Sequence, residues 1–289
     1  MNSNSAESPI SLRAAAEVHV VTPPSLLDLW RNLFALYQYF ALFRVLVWRF
    51  VVIRYLQSVL GIVWVALQPV GTTAVILFMF GIVKVSPGDG ANNGLFLLAG
   101  LVTWQFFSRA LQDATGSLTG NSGILTKIYL PKLIFPLAAA TAACLDLAVM
   151  LVILLASVLL FGNGVTERIV FLPVFVALVL LFGFALGTML SPINALYRDV
   201  GFLLGFGLQF WMYLTPVLYS ARFVPEQYKS QYYLNPMATL VEGIRWSLLV
   251  DSPPPAFVFL AINIFTIVFV LIAALLIFQK LESDVVDRI

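Results

Sequence analysis

The sequence has almost none of the residues from which catalytic and metal sites are built. Its 289 residues include one cysteine and one histidine. Cys144 lies in an apolar run with no second cysteine to pair with, and His19 lies in a polar stretch. Neither a Ser–His–Asp nor a Cys–His set can be assembled, and the glycine–lysine motif that cradles phosphate in ATPases is missing. We therefore predict no catalytic residue, metal or cofactor on this chain; any ATP and Mg²⁺ would bind to another subunit.

Charge is also scarce, which excludes most soluble folds. Charged residues make up 10% of the chain and hydrophobic residues 61%, and the mean hydropathy is +0.97. Soluble domains are roughly one quarter charged. The composition therefore predicts an all-α, polytopic membrane protein. The net charge of +2 is too small to indicate a nucleic-acid-binding protein.

Six segments are predicted to cross the membrane. They are residues 62–83, the stretch from about 94 to the polar residues at 116, 133–161, 169–192, 200–218 and 257–278. With six spans, the side that holds both termini carries ten lysine and arginine residues and the other side carries five. Both termini are therefore predicted to be cytoplasmic. Residues 1–24 lack the apolar core of a signal peptide and are predicted to form a disordered cytoplasmic tail.

Residues 25–61 are predicted to form an amphipathic region along the membrane surface. Ser25 is suited to cap a helix, and polar and apolar residues then fall on opposite arcs of that helix. Arg44, Arg49 and Arg54 follow among apolar residues without sharing one face. This pattern indicates side chains that reach the interface or face a partner.

Two other regions are too polar or too broken to span. The first turns from polar residues at 116–123 into a short basic amphipathic segment at 124–129. The second, 219–255, has two short amphipathic patterns separated at residues 235–236. Short half-apolar helices on one side of a membrane predict re-entrant or lip-forming elements that pack against protein.

Three charged residues fall inside predicted spans. Asp146 lies about 18 Å along the third span, near mid-bilayer, where an isolated carboxylate costs roughly 3 kcal/mol or more. Arg109 and Asp113 lie four residues apart on the second span, a spacing at which they can pair. We expect a structural network of these three residues. A proton relay in a secondary transporter and a role in lining a pathway are the alternatives.

The fifth predicted span has an aromatic face. Phe202, Phe206, Gln209 and Tyr213 recur at helical spacing and share one side. Aromatic rings with one amide suit a sugar chain, because sugar C–H faces stack on rings while hydroxyl groups bind the polar side chain. Contact of the same rings with lipid or with a neighbouring helix is the alternative. Trp104 and Trp211 are expected to be interface or packing residues.

Several short motifs, taken in order, carry a family resemblance. They are residues 54–69 (RYLQSVLGIVWVALQP), 100–107 (GLVTWQFF), 121–136 (NSGILTKIYLPKLIFP), 197–201 (YRDVG), 215–219 (TPVLY), 225–228, 235–236 and 243–245. From residue 27 to its end, the chain resembles the type-2 ABC exporter permeases that move O-antigen, teichoic acid and capsule polysaccharides. The N-terminal tail lies outside the resemblance.

The resemblance implies how the chain works. It implies a homodimer in the bacterial inner membrane, two copies of a separate ATPase, and a lipid-linked glycan of the undecaprenyl-pyrophosphate type as substrate. The first and fifth spans would line the channel, residues 219–249 would form periplasmic gate helices, and 122–131 would form the coupling helix. The residues that would then dock the ATPase are Ile124, Leu125, Lys127, Ile128 and Tyr129, and those near the pyrophosphate are Arg44, Arg49 and Arg54. A drug or lipid exporter of the same superfamily and a proton-coupled carrier that uses Asp146 are the competing hypotheses.

Overall fold

The computed structural model describes residues 38–56, 60–88, 92–125, 130–162, 164 and 166–288. These residues form helices, turns and short links, with no strand among them. The predicted tail and the predicted interfacial helix up to residue 37 lie outside the described residues. So do Lys127, Ile128 and Tyr129 of the predicted coupling segment.

The described residues contain ten α-helices. In chain order they are α1 (Phe40–Tyr55), α2 (Val63–Val83), α3 (Asn93–Gly116), α4 (Ser122–Leu125), α5 (Ile134–Phe161), α6 (Leu172–Leu196), α7 (Asp199–Tyr213), α8 (Glu226–Tyr233), α9 (Pro236–Leu248) and α10 (Phe257–Arg288). Short 3₁₀ turns precede three of them, at Thr119–Asn121, Glu167–Phe171 and Ala221–Phe223.

Five of these helices are long and apolar enough to cross a membrane: α2, α3, α5, α6 with the turn before it, and α10. The polytopic, all-α prediction is confirmed. The predicted fifth span is the shorter helix α7, whose 15 residues extend about 22 Å against a hydrocarbon core of about 30 Å. Turns continue this segment to about residue 219. The count of six spans stays a prediction.

Helix α3 lies at the centre of the bundle. Sixteen of its 24 residues are buried, and it packs most extensively against α5 and α6. Small residues allow α6 to lie close to α3, because a Cβ atom added at Gly187 would be 2.5 Å from the Cβ of Ala114. α10 then packs along the other side of α6. The apolar, small-residue composition of α3 therefore makes it the helix that the other spans surround.

The two ends of the bundle are held by different contacts. At one end, which we call the basic end, the Nζ of Lys132 donates a hydrogen bond of 2.6 Å to the carbonyl of Glu282. Here α1 packs through Leu46 on a cluster at the start of α5 and the last turns of α10. At the opposite end, the Arg222 guanidinium donates to the carbonyl of Gly88 at 2.8 Å. Lys132 and Glu282 thus lie at one end of the bundle and Gly88 and Arg222 at the other, as the predicted order of spans requires.

Candidate functional site: an aromatic stripe and a charge network

One face of α7 is anchored in the core by Trp211. Its ring centroid lies 5.2 Å from that of Phe107 on α3 and 6.0 Å from that of Phe182 on α6. The indole Nε1 donates to Oδ1 of Asn235 at 3.2 Å. Leu208, one turn earlier, is also buried. The predicted packing role of Trp211 is therefore confirmed, and the orientation of α7 about its own axis is fixed.

The opposite face of α7 is the aromatic stripe, which consists of Phe202, Phe206, Gln209 and Tyr213. The side chains of Phe202, Phe206 and Tyr213 are 80%, 63% and 56% exposed in the subunit, and Gln209 is exposed as well. The stripe runs for about 16 Å along the helix. Three exposed rings in a row need a cover of lipid, a second subunit or a ligand.

An open groove of about 1110 Å³ begins where the stripe begins. Its lining is mainly polar or small and comes from the ends of α6 and α7 and the turn after α3: Thr119, Ser122, Asn194, Ala195, Leu196, Arg198, Gly201 and Phe202. The Asn194 amide is buried and donates to the carbonyl of Thr115 at 3.3 Å. The groove lies at the same end of α3 as the predicted coupling segment, beside the first ring of the stripe.

At its other end the stripe meets hydrogen-bonded tyrosines. The hydroxyl of Tyr219 donates to the carbonyl of Tyr213 at 3.1 Å and accepts from the hydroxyl of Tyr232 at 3.4 Å. Burial raises the pKa of the Tyr232 phenol, so this group stays protonated and remains a donor at physiological pH. Helix α8 therefore continues the aromatic surface beyond α7.

A buried arginine holds the turn after α7 in place. The Arg245 side chain is 2% exposed. Its guanidinium donates to the carbonyl of Phe96 at 3.1 Å and to that of Val217 at 2.7 Å, and it lies 3.5 Å from the centre of the Phe96 ring. A Cβ atom added at Gly100 would lie 2.3 Å from Nη2 of Arg245. The predicted lip helix α9 is thus packed against α3, and Gly100 leaves the space for its arginine.

A charge network lies toward the basic end. Arg54 donates one hydrogen bond to Asp113 and one to Asp146. The Tyr55 hydroxyl donates to the other oxygen of Asp146, and the Arg109 Nε lies 3.7 Å from Asp146. Asp146 is 2% exposed. The predicted meeting of Arg109, Asp113 and Asp146 is therefore present, although among the described residues Arg109 pairs with Asp146 and not with Asp113.

Arg54 and Tyr55 also belong to this network, although they were not predicted to. A signal for Arg54 was present in the sequence, because two carboxylates and one guanidinium inside the spans leave one negative charge without a partner. With Arg54 the formal charges balance, which favours a structural role over a proton relay. The predicted contact of Arg54 with a pyrophosphate stays a prediction, and its guanidinium already has two acidic partners.

The structure gives less detail about the remaining predicted site residues. Arg44 is exposed and Arg49 half-buried on α1. Ile124 and Leu125 belong to the four-residue helix α4, and the rest of the predicted coupling residues lie outside the described part of the chain. Within that part, no group of three histidine, cysteine, aspartate or glutamate side chains could hold a metal ion.

Comparison with known proteins identifies the family of this chain. A family model described as "ABC-2 type transporter" matches residues 41–249. The O-antigen export system permease protein RfbA of Myxococcus xanthus is 27% identical over 256 residues, which cover 88% of this chain and 97% of that protein. The protein of the same name from Klebsiella pneumoniae is 26% identical over 233 residues, 80% of this chain and 88% of that protein. The family match covers α1 to α9, so this chain belongs to the ABC-2 type transporter family.

Proposed function

We propose that this chain is the membrane-spanning permease subunit of an exporter that moves lipid-linked O-antigen polysaccharide across the bacterial inner membrane. Its relatives from Myxococcus xanthus and Klebsiella pneumoniae carry the name O-antigen export system permease and match most of the chain. As a permease of the ABC-2 type it is a transport subunit and not an enzyme. ATP hydrolysis is therefore assigned to a separate ATPase subunit, which binds the ATP and Mg²⁺.

The observation that carries the choice of substrate is the aromatic stripe on α7. Its rings lie on a helix whose opposite face is packed into the core by Trp211, so they can present flat faces in a row. Stacking on rings tolerates different sugars and allows a chain to slide from one ring to the next. Gln209 adds an amide that can donate hydrogen bonds to hydroxyl groups and accept hydrogen bonds from them. A small drug or a single lipid would not need a row of this length.

A single subunit does not enclose the stripe. The rings of Phe202 and Phe206 lie on its outer surface, and α2 carries further exposed apolar residues such as Phe78. Apolar surface of this extent fits contact with another copy. We therefore infer a homodimer in which the two stripes line one conduit, with two ATPase subunits bound at the basic end.

The orientation of the chain in the membrane is inferred from the charges. The basic end is assigned to the cytoplasm by the lysine and arginine count, so both termini are cytoplasmic and α8 and α9 lie at the periplasmic exit. We infer that Arg44 and Arg49 on α1 would meet the head group of an undecaprenyl-pyrophosphate carrier. The segment from α4 to residue 131 would dock the ATPase.

The test removes two rings of the stripe with Phe206→Ala and Tyr213→Ala together. Stacking contributes about 0.5–1.5 kcal/mol per ring beyond area burial, so we expect surface O-antigen to appear at least about fivefold more slowly. Export is measured in cells that lack their own copy of the gene, and ATP hydrolysis is measured on the purified complex, which should be unchanged. The control is Phe265→Ala with Phe269→Ala, an exposed aromatic pair four residues apart on α10.

The outcomes separate the hypotheses. A loss of export in the stripe variant alone supports the stacking surface. Equal export by the stripe variant and the wild type would contradict it, and equal losses in both double variants would assign the rings to general lipid contact. If the chain exported a drug or lipid while surface O-antigen never depended on it, the alternative exporter function would replace the proposal.

A further inference from the structure

The accessible side of α3 near the basic end is entirely polar. From residue 105 to the end of the helix, every residue that is not buried is polar or glycine: Gln105, Ser108, Arg109, Gln112, Asp113 and Gly116. Their spacing of three and four residues places them on one face. All the other residues of this part of α3 are buried in the subunit. A spanning helix that shows lipid only polar groups would be costly, so this face meets something other than lipid.

The neighbours of α3 locate this face. On one side Trp104 packs against Trp211 of α7, with ring centroids 6.1 Å apart. On the other side Asp113 binds Arg54 of α1. At 100° per residue, the accessible side chains that lie in turn between these two contacts are Ser108, Gln112, Gln105 and Arg109. The polar face therefore borders the helix that carries the aromatic stripe.

Two polar atoms on this face lack hydrogen bonds. Gln105 Oε1 and Ser108 Oγ are buried and have no hydrogen-bond partner among the described residues. Gln112 is exposed. Polar groups within a bilayer are normally satisfied by protein, by water or by a ligand. This face thus has hydrogen-bonding capacity that the subunit itself does not use.

The charges nearby indicate the kind of ligand. Arg109 is paired with Asp146, and Arg54 with Asp113 and Asp146, so the face has no net charge. Its remaining groups are two amides and one hydroxyl, which match a neutral, hydroxyl-rich chain better than an ion. We propose that the exposed Gln112 and the half-buried Gln105 form a hydrogen-bonding wall of the conduit that binds sugar hydroxyl groups of the exported polysaccharide, whereas Ser108 Oγ is covered within the subunit. This inference rests on the proposed function and adds a binding surface on α3 to the stripe on α7.

The experiment uses the full-length chain in complex with its ATPase in lipid nanodiscs. Cys144→Ala provides a background without cysteine, since this is the only cysteine of the chain. Gln112→Cys is then treated with a charged maleimide that does not enter lipid. The matched control is Val152→Cys, an exposed position on α5.

Because the reacting thiolate forms in water and not in lipid, we expect labelling about tenfold faster at Gln112→Cys than at Val152→Cys. Lipid-linked polysaccharide extracted from cells that lack the exporter should slow this labelling at least about threefold.

Each outcome has one meaning. Fast labelling that the polysaccharide slows supports the proposal. Labelling as slow as at Val152→Cys would show a dry face, labelling that the polysaccharide leaves unchanged would show a water-filled vestibule only, and spontaneous cross-linking between two copies would show a dimer contact; all three overturn it. Gly116→Cys, at a half-buried position of the same face where an added Cβ atom has no neighbouring atom within 4 Å, repeats the test if the complex with Gln112→Cys does not assemble. The accessibility measurement needs no export, so failure of the wild type to export polysaccharide would overturn the proposed function separately.

Discussion

The charge network makes a quantitative prediction about how α1 is attached to the bundle. Arg54→Met removes the guanidinium that binds both carboxylates. Loss of one partner of a buried ion pair costs about 3–5 kcal/mol because the other charge stays buried. Asp146 is 2% exposed, but Arg109 remains 3.7 Å away and offsets part of the loss. We therefore expect Arg54→Met to lower the free energy of unfolding by about 3 kcal/mol, near the lower limit of that range.

A double-mutant cycle tests the pairing itself. Asp146→Asn alone leaves Arg54 bound to Asp113, so its cost should be about 1–2 kcal/mol. The double variant should lose at least about 1.5 kcal/mol less than the sum of the two single losses. The free energy of unfolding is measured by tryptophan fluorescence in mixed micelles. Arg44→Met, an exposed arginine on the same helix, is the control and should change stability by less than about 0.5 kcal/mol.

Two results would refute the reasoning. Additivity of the single losses within about 0.5 kcal/mol would mean that Arg54 and Asp146 do not interact in the membrane. Loss of transport in Asp146→Asn, with a stable complex and normal ATP hydrolysis, would mean that this carboxylate moves protons. In that case a proton-coupled step would replace the structural role that its ion pairs support.

Three further predictions concern the other contacts of the bundle. Gly100→Ala places a methyl group on the Arg245 guanidinium and should cost about 1–3 kcal/mol, seen as a lower melting temperature; an unchanged value would contradict the close packing there. Asn235→Ala removes the N-cap of α9 and the acceptor of the Trp211 indole, so a loss of about 1–2 kcal/mol and a red shift of tryptophan emission are expected, whereas an unshifted spectrum would argue against this contact. Ile128→Asp should weaken co-purification of the ATPase, and full retention with normal hydrolysis would move the docking site elsewhere.

The helices were predictable because their signals are local. Apolar runs of bilayer length predict α2, α3, α5, α6 and α10 without any tertiary information. The early end of α7 has a local cause too: a residue before proline disfavours the helical conformation, and Thr215–Pro216 follows soon after Tyr213. The exposed face of α7 was predictable from spacing alone, since core residues and stripe residues alternate with the helical period.

The tertiary contacts of charged side chains were not predictable in the same way. Arg54 and Asp146 are 92 residues apart in the chain, and no periodicity connects them. Arg245 resembles a surface residue in the sequence, yet its guanidinium is buried and binds backbone carbonyls of α3 and of the turn after α7. Backbone acceptors carry no sequence signal, because every residue has one. Such contacts become visible only when the helices are placed together.

Two sides of α3 explain how one helix can serve both stability and transport. One side packs through small residues on α6, and the polar face holds Asp113 for the arginine of α1 at one edge and carries the unpaired polar groups toward α7. Its last turn leads directly through Thr119–Asn121 into α4, where the predicted coupling segment begins. A force applied there would reach α3 through these two short elements. Helix α3 contacts both Trp211 of α7 and Arg245 of α9. A rigid displacement of α3 would therefore move the stripe and the predicted exit together.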